Sequence, residues 1–149
     1  MRIDLTDIED FGFEAIPAGR YRATIADYQD KEVKAEGGKL PQGTPMINWE
    51  FNVLCNARTG DETYQGRKLW MNTPIHQRTL FNLKAMLRAS GKYTDEELVG
   101  TIDFQPEDIL GCEVVLVVTQ REYQGDTVND VKRVLPTSED DQQGGSLLP

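Results

Sequence analysis

The side chain with the clearest potential for recognition chemistry is Trp70, which lies in a short alternating segment. Leu69 and Met71 share one face of a strand there, so a period of two places Trp70 on the opposite, polar face with Lys68 and Asn72. An indole beside a cation on a polar face is a platform on which a planar ring can stack. Stacking of a nucleic-acid base on such a ring contributes ~1–3 kcal/mol. The pattern therefore favours a surface for unpaired bases.

Cations and further aromatic side chains surround the same predicted elements. Phosphates need cations along a groove, and bases need flat aromatic faces. The candidate nucleic-acid-binding residues are Trp70, Lys68, Arg67, Tyr64, Arg22, Tyr28, Lys31, Lys34, Lys39, Arg121, Tyr123 and Lys132. Two alternatives stay open: the cations are scattered surface charges, or the N-terminal arm or a second helix covers Trp70. Glu50 argues against the site, because it is predicted to project from the face that would bind phosphate-bearing strands.

The sequence lacks the residue patterns of common catalytic and metal sites. His76 is the only histidine, and Cys55 and Cys112 have no metal-ligand spacing. No phosphate-binding loop, dinucleotide fingerprint or nucleophile elbow is present. We therefore expect no enzyme, no cofactor and no metal, and reduced thiols in a protein of the cytoplasm.

The negative charge is concentrated at the two ends of the chain. The 149 residues have a formal net charge of −9, with 38% hydrophobic and 28% charged residues. Residues 1–18 hold five acids and one base, and residues 137–149 hold three acids and no base, which leaves fifteen bases and seventeen acids between them. We therefore predict an acidic arm over 1–18, one domain over 19–136 and a disordered acidic tail over 137–149. A nearly neutral body can still present a basic groove. No apolar run is long enough to span a membrane.

Five strands and one main helix are expected in the domain. Alternation predicts strands over 19–29, 47–53, 68–72 and 127–135, and a β-branched apolar run predicts a buried strand over 112–118. Leucines at helical spacing predict a helix over 77–90, and Thr94 with Glu97 has the spacing of a capping box that opens a short second helix. The fold class is thus mainly β. Three strands, a helix and two strands are the element order of a five-stranded OB-fold-like barrel, which binds oligonucleotides on its strand 2–3 face and adjacent loops. An open α+β sheet would give a similar order.

Several segments together resemble a family of phage-encoded, small single-stranded DNA-binding proteins. They are the pattern Gly19-x-Tyr21-x-Ala23-x-Ile25, the strand 47–51, the segment 66–70, Leu80-x-x-Leu83 and Gly111-Cys112. This family was long treated as a domain of unknown function, and its members often occur among phage recombination and replication genes. The resemblance implies an OB-like fold, sequence-tolerant single-stranded DNA binding, no catalysis and a location in the bacterial host cytoplasm. The acids at 139–141 resemble tails that recruit replication or recombination proteins, although Leu147-Leu148-Pro149 replaces the usual terminal proline–phenylalanine.

Two other functions are compatible with the sequence. A phage virion or tail accessory protein would bind protein partners through exposed strand edges. An acidic inhibitor that mimics DNA would need carboxylates arrayed on the folded body, whereas the body here is nearly neutral. A homo-oligomer is compatible with each of these functions.

Overall fold

A computed structural model describes residues 1–2, 15–34 and 40–137. Their order of three strands, a main helix and two strands is the one that the sequence pattern predicts, and most strands are longer than expected. The elements are β1 (Gly19–Glu32), β2 (Pro45–Asn56), β3 (Lys68–Pro74), α1 (Leu80–Ala89), a 3₁₀ helix (Pro106–Ile109), β4 (Glu113–Tyr123) and β5 (Asp126–Leu135). In the described ranges, no helix has the length and apolar character needed to cross a membrane.

The five strands form one antiparallel sheet in the order β3-β2-β1-β4-β5. The fold is therefore mainly β, with one α-helix between the third and fourth strands among the described residues. The hydrogen-bonded sheet is not closed, because β3 and β5 are its two edges. The closed barrel of the sequence prediction is thus not observed as a continuous ladder.

The core lies on one face of this sheet, beneath α1. Trp49 and Phe51 of β2 are fully buried there, as their alternation predicts. The buried indole of Trp49 donates a hydrogen bond to Thr73 Oγ1 of β3 at 2.8 Å. This bond satisfies a polar group that would otherwise be unpaired in the core, and it fixes β3 against β2. The opposite face of the sheet is called the outer face below.

The helix predicted from the capping box at residues 94–97 is absent, and that prediction is wrong. The box itself forms, since Thr94 Oγ1 accepts a hydrogen bond from Glu97 N–H at 3.2 Å and donates to Glu97 Oε1 at 3.1 Å. The chain then makes only one turn. Gly100 adopts a φ of 72°, in the left-handed region, which is incompatible with helix continuation. The capping interaction therefore closes a turn without starting a helix.

The β4–β5 hairpin extends well beyond the apolar run that predicted β4. Its tight turn, Gln124-Gly125, has φ values of 52° and 86°. Two positive φ angles give the turn the twist that an antiparallel ribbon needs. At the base of the ribbon, Ile16 is fully buried, and its N–H donates to Asn129 Oδ1 at 2.9 Å. The end of the acidic arm thus packs against β5.

Candidate nucleic-acid interface

The outer face of β1, β2 and β3 presents aligned rows of side chains. Residues that pair across antiparallel strands share a face, with Cβ atoms about 4.5–5.5 Å apart. One row consists of Asp27, Glu50 and Trp70, because Glu50 pairs with both of the others. The next row is made of amides, and Asn48 of β2 donates a hydrogen bond to Asn72 Oδ1 of β3 at 2.8 Å. The aromatic ring of β3 therefore lies beside carboxylates in its own row and amides in the next.

Trp70 is 49% exposed on this face, as the sequence alternation predicts. Beside it is an open groove of about 240 Å³, called the tryptophan groove here. The groove is lined by Asp27, Tyr28, Gln29, Lys31, Asn48, Glu50 and Trp70. Its size and an exposed ring along one side suit a flat, polar ligand such as a base.

The charges of the tryptophan groove are mixed. Asp27 and Glu50 line it together with Lys31, and Lys68 Nζ lies 3.9 Å from Glu50 Oε2. The side chain of Lys68 is 60% exposed, so this contact is a loose surface ion pair that leaves the ammonium accessible. The groove is therefore not the uniformly basic channel that a phosphate-binding surface would present.

A β-bulge sets the position of Tyr28. The register between β1 and β2 shifts between Ile25 and Asp27, so Ala26 is unpaired and the alternation of β1 reverses. Tyr28 consequently points to the core face, where its ring lies 6.0 Å from that of Trp49. Its hydroxyl donates a hydrogen bond to the Glu107 carboxylate. That hydrogen bond raises the pKa of Tyr28 to about 12 and lowers the pKa of Glu107.

Two candidate arginines are engaged by acids on the outer face. Arg22 Nη1 lies 2.8 Å from Glu113 Oε2. Arg121 Nε lies 2.8 Å from Asp130 Oδ2, and its guanidinium stacks over the Tyr123 ring at 5.2 Å from the centroid. Tyr123 is 53% exposed at the end of β4, beside the hairpin turn. Arg121 and Tyr123 thus form an exposed aromatic–cation pair on the β4–β5 ribbon, away from the tryptophan groove.

The remaining candidates are spread over other parts of the chain. Tyr64 packs partly buried against the core, with its ring at 83° to that of Tyr21. Arg67 precedes β3, and its N–H donates to the carbonyl of Tyr64 at 3.1 Å. Lys34 is exposed after β1, and Lys132 is exposed at a bulge of β5. Lys39 lies outside the described residues.

Asp27 and Gln29 are groove residues that sequence reasoning missed. Strict alternation from Ile25 would place both side chains in the core, and only the bulge at Ala26 moves them to the outer face. Asn48 was recoverable, because the alternation of β2 already places it on the same face as Glu50.

An apolar groove of about 550 Å³ lies elsewhere, between α1 and the segment 98–104. Leu80, Phe81 and Ile102 line it and are each at least 36% exposed. It shares no lining residue with the tryptophan groove. In the described part of the chain, no cluster of three or more histidine, cysteine or acidic side chains has a metal-binding arrangement.

The fold and the groove define a small antiparallel β-protein that carries an exposed indole and a polar groove on one face of its sheet. The chain belongs to the family described as protein of unknown function DUF669, whose family model matches residues 1–144. A comparison with curated proteins found no match.

Proposed function

We propose that this protein binds single-stranded DNA with little dependence on sequence and protects it during phage replication or recombination. The observation that carries the proposal is Trp70, an indole 49% exposed on the outer face beside a groove of base-sized volume. A monomer gains little by exposing so large an apolar ring, whereas a base that stacks on the indole covers one of its faces. The resemblance to phage single-stranded DNA-binding proteins supports the same function.

The proposed fold is a barrel of the OB type. Its support is that β1 pairs with both β2 and β4, that α1 lies between β3 and β4, and that Cα atoms of the edge strands β3 and β5 approach within 8 Å. In such a barrel the outer face of β2 and β3 is the surface that takes oligonucleotides. The tryptophan groove occupies that surface. The acidic residues 139–141, which lie outside the described residues, are proposed to recruit replication or recombination proteins, and the protein is proposed to work in the host cytoplasm without catalysis.

The decisive experiment is Trp70→Ala, measured by fluorescence anisotropy with a labelled oligothymidine. We expect a loss of about 1–3 kcal/mol of binding free energy, the contribution of one stacking platform. The matched control is Phe81→Ala, since Phe81 is 66% exposed but lies on α1; its affinity should equal that of the wild type. Both variants should retain a cooperative thermal transition.

If the wild type left the anisotropy of the labelled oligothymidine unchanged, the proposal would be overturned. That result would favour the alternative, a phage virion or tail accessory protein that binds protein partners. An equal loss of affinity in both variants would show that the effect does not come from the tryptophan groove.

A further inference from the structure

The residue that pairs directly with Trp70 across the sheet is Glu50, a hydrogen-bond acceptor, which phosphates avoid. Asp27 and Glu50 complete the row that contains Trp70, and the Glu50 side chain is 26% exposed. An ionised carboxylate only accepts hydrogen bonds. It repels a phosphate and attracts the N–H groups of a base edge. The row therefore suits the edge of a base stacked on Trp70, with the sugar–phosphate backbone kept on the side of the lysines.

Base edges differ in what they present to such a carboxylate. Cytosine carries a 4-amino group, which donates, whereas uracil and thymine carry a carbonyl oxygen at the same position. Glutamate and aspartate accept from cytosine N4 in known recognition of base edges. A carbonyl oxygen facing Glu50 would instead place two acceptors against each other. The one N–H donor of uracil and thymine, N3–H, is flanked by carbonyl oxygens on both sides, so a carboxylate that accepts from it also faces an acceptor.

We propose that the tryptophan groove prefers bases with an exocyclic amino group over thymine and uracil, and that Glu50 is the residue that sets this preference. This proposal rests on the proposed function and deepens it. Glu50 pairs directly with Trp70 across the two strands, so a base on the indole has its edge within reach of the carboxylate. Lys68 Nζ lies 3.9 Å from Glu50 Oε2, so the carboxylate beside the ring has a cation next to it on the same face. The preference is local to one base, so binding of a whole strand remains tolerant of sequence.

The test compares oligodeoxycytidine with oligodeoxyuridine of the same length, about 12 nucleotides. These two ligands differ at the pyrimidine 4-position and at N3 but not in backbone or size. Titrations of intrinsic tryptophan fluorescence are run at neutral pH, where both cytosine and uracil are uncharged. The wild type should bind the cytidine oligomer at least about fivefold more tightly, the lower end of the discrimination by one good base contact.

Glu50→Gln replaces the acceptor by an amide that can donate as well as accept. It should reduce the preference to within about twofold, mainly through tighter binding of the uridine oligomer. Glu96→Gln is the control, because Glu96 is exposed, carries the same formal charge and lies outside the strands that form the row. Its preference should match the wild type.

Equal affinities of the wild type for the two oligomers would overturn this proposal and leave the proposed function standing. Equal gains for both oligomers in Glu50→Gln would also overturn it, because Glu50 would then act only by repelling phosphates. Failure of both oligomers to bind would overturn the proposed function itself. The wild-type comparison alone is decisive, even where a variant folds poorly.

Discussion

The two tryptophans show how one position in a strand decides the role of a residue. Trp49 and Trp70 lie in the neighbouring strands β2 and β3 but on opposite faces of the sheet. Trp49 is fully buried, and its indole N–H is bonded to Thr73, so it is a structural residue. Trp70 is half exposed and faces polar side chains. Changes in intrinsic tryptophan fluorescence on ligand binding should therefore come from Trp70, so binding can be followed without an added label.

The contact between Tyr28 and Glu107 makes folding stability depend on pH. The hydrogen bond from the phenol lowers the pKa of Glu107 below its ordinary value of 4.5. A carboxyl group whose pKa is lower in the folded state stabilises the fold above the unfolded pKa, and this contribution is lost as the pH falls through the folded value. On the alkaline side, the pKa of Tyr28 is raised from 10.0 to about 12, so its contribution is lost as the pH rises through that range.

Tyr28→Phe should remove the acid-side contribution. Between about pH 7 and about pH 3, the free energy of unfolding should fall less in this variant than in the wild type. Chemical denaturation at several pH values measures the difference. Tyr123→Phe, at an exposed tyrosine, is the control and should keep the wild-type slope. Identical slopes for Tyr28→Phe and the wild type would contradict the assigned hydrogen bond.

At the scale of elements, one buried side-chain hydrogen bond adds to the backbone ladder that pairs β2 with β3. Thr73 is fully buried and accepts from the Trp49 indole. Thr73→Val keeps the shape of the side chain but leaves a buried N–H unpaired, which should cost about 1–3 kcal/mol of unfolding free energy. Thr73→Ser retains the hydroxyl and loses one methyl group, at about 0.8 kcal/mol. Urea denaturation should thus rank serine above valine; the reverse order would mean that packing, not the hydrogen bond, holds the two strands.

The elements also show what the sequence could predict and what it could not. The faces of β2 and β3, and therefore of Trp49 and Trp70, follow from alternation because both strands pair without interruption. The face of Tyr28 does not follow from alternation, because nothing in the hydrophobic pattern of the sequence indicates that Ala26 is unpaired. The polar ends of β1 and β4 extend past the predicted limits because ladder hydrogen bonds hold a two-stranded ribbon without apolar side chains. Only part of the tryptophan groove could therefore be predicted from the sequence. The residues from β2 and β3 follow from alternation, whereas those from β1 do not, because of the bulge at Ala26.

At the scale of the whole molecule, the distribution of charge sets how the proposed affinity for DNA should respond to salt. The net charge is −9, and the groove itself combines two carboxylates with Lys31 and the neighbouring Lys68. Stacking and base-edge contacts are therefore expected to dominate affinity, with phosphate contacts in a smaller role. If the two lysines each neutralise one phosphate, the logarithm of affinity should fall against the logarithm of salt concentration with a slope of about −1.4, at about −0.7 per phosphate on a single strand.

Lys68→Ala should make that slope shallower by about 0.7, because one counterion fewer is released from the strand. Lys92→Ala, an exposed lysine beyond α1, is the control and should leave the slope unchanged. Titrations of oligothymidine binding at several salt concentrations measure both. A slope several times steeper that Lys68→Ala does not change would mean that other cations, such as Lys34 or Lys132, bind the phosphates. The sugar–phosphate backbone of the DNA would then run away from the tryptophan groove. A shallow slope that responds to Lys68 alone would instead fix the strand along β3, where the one exposed indole of the sheet can meet its bases.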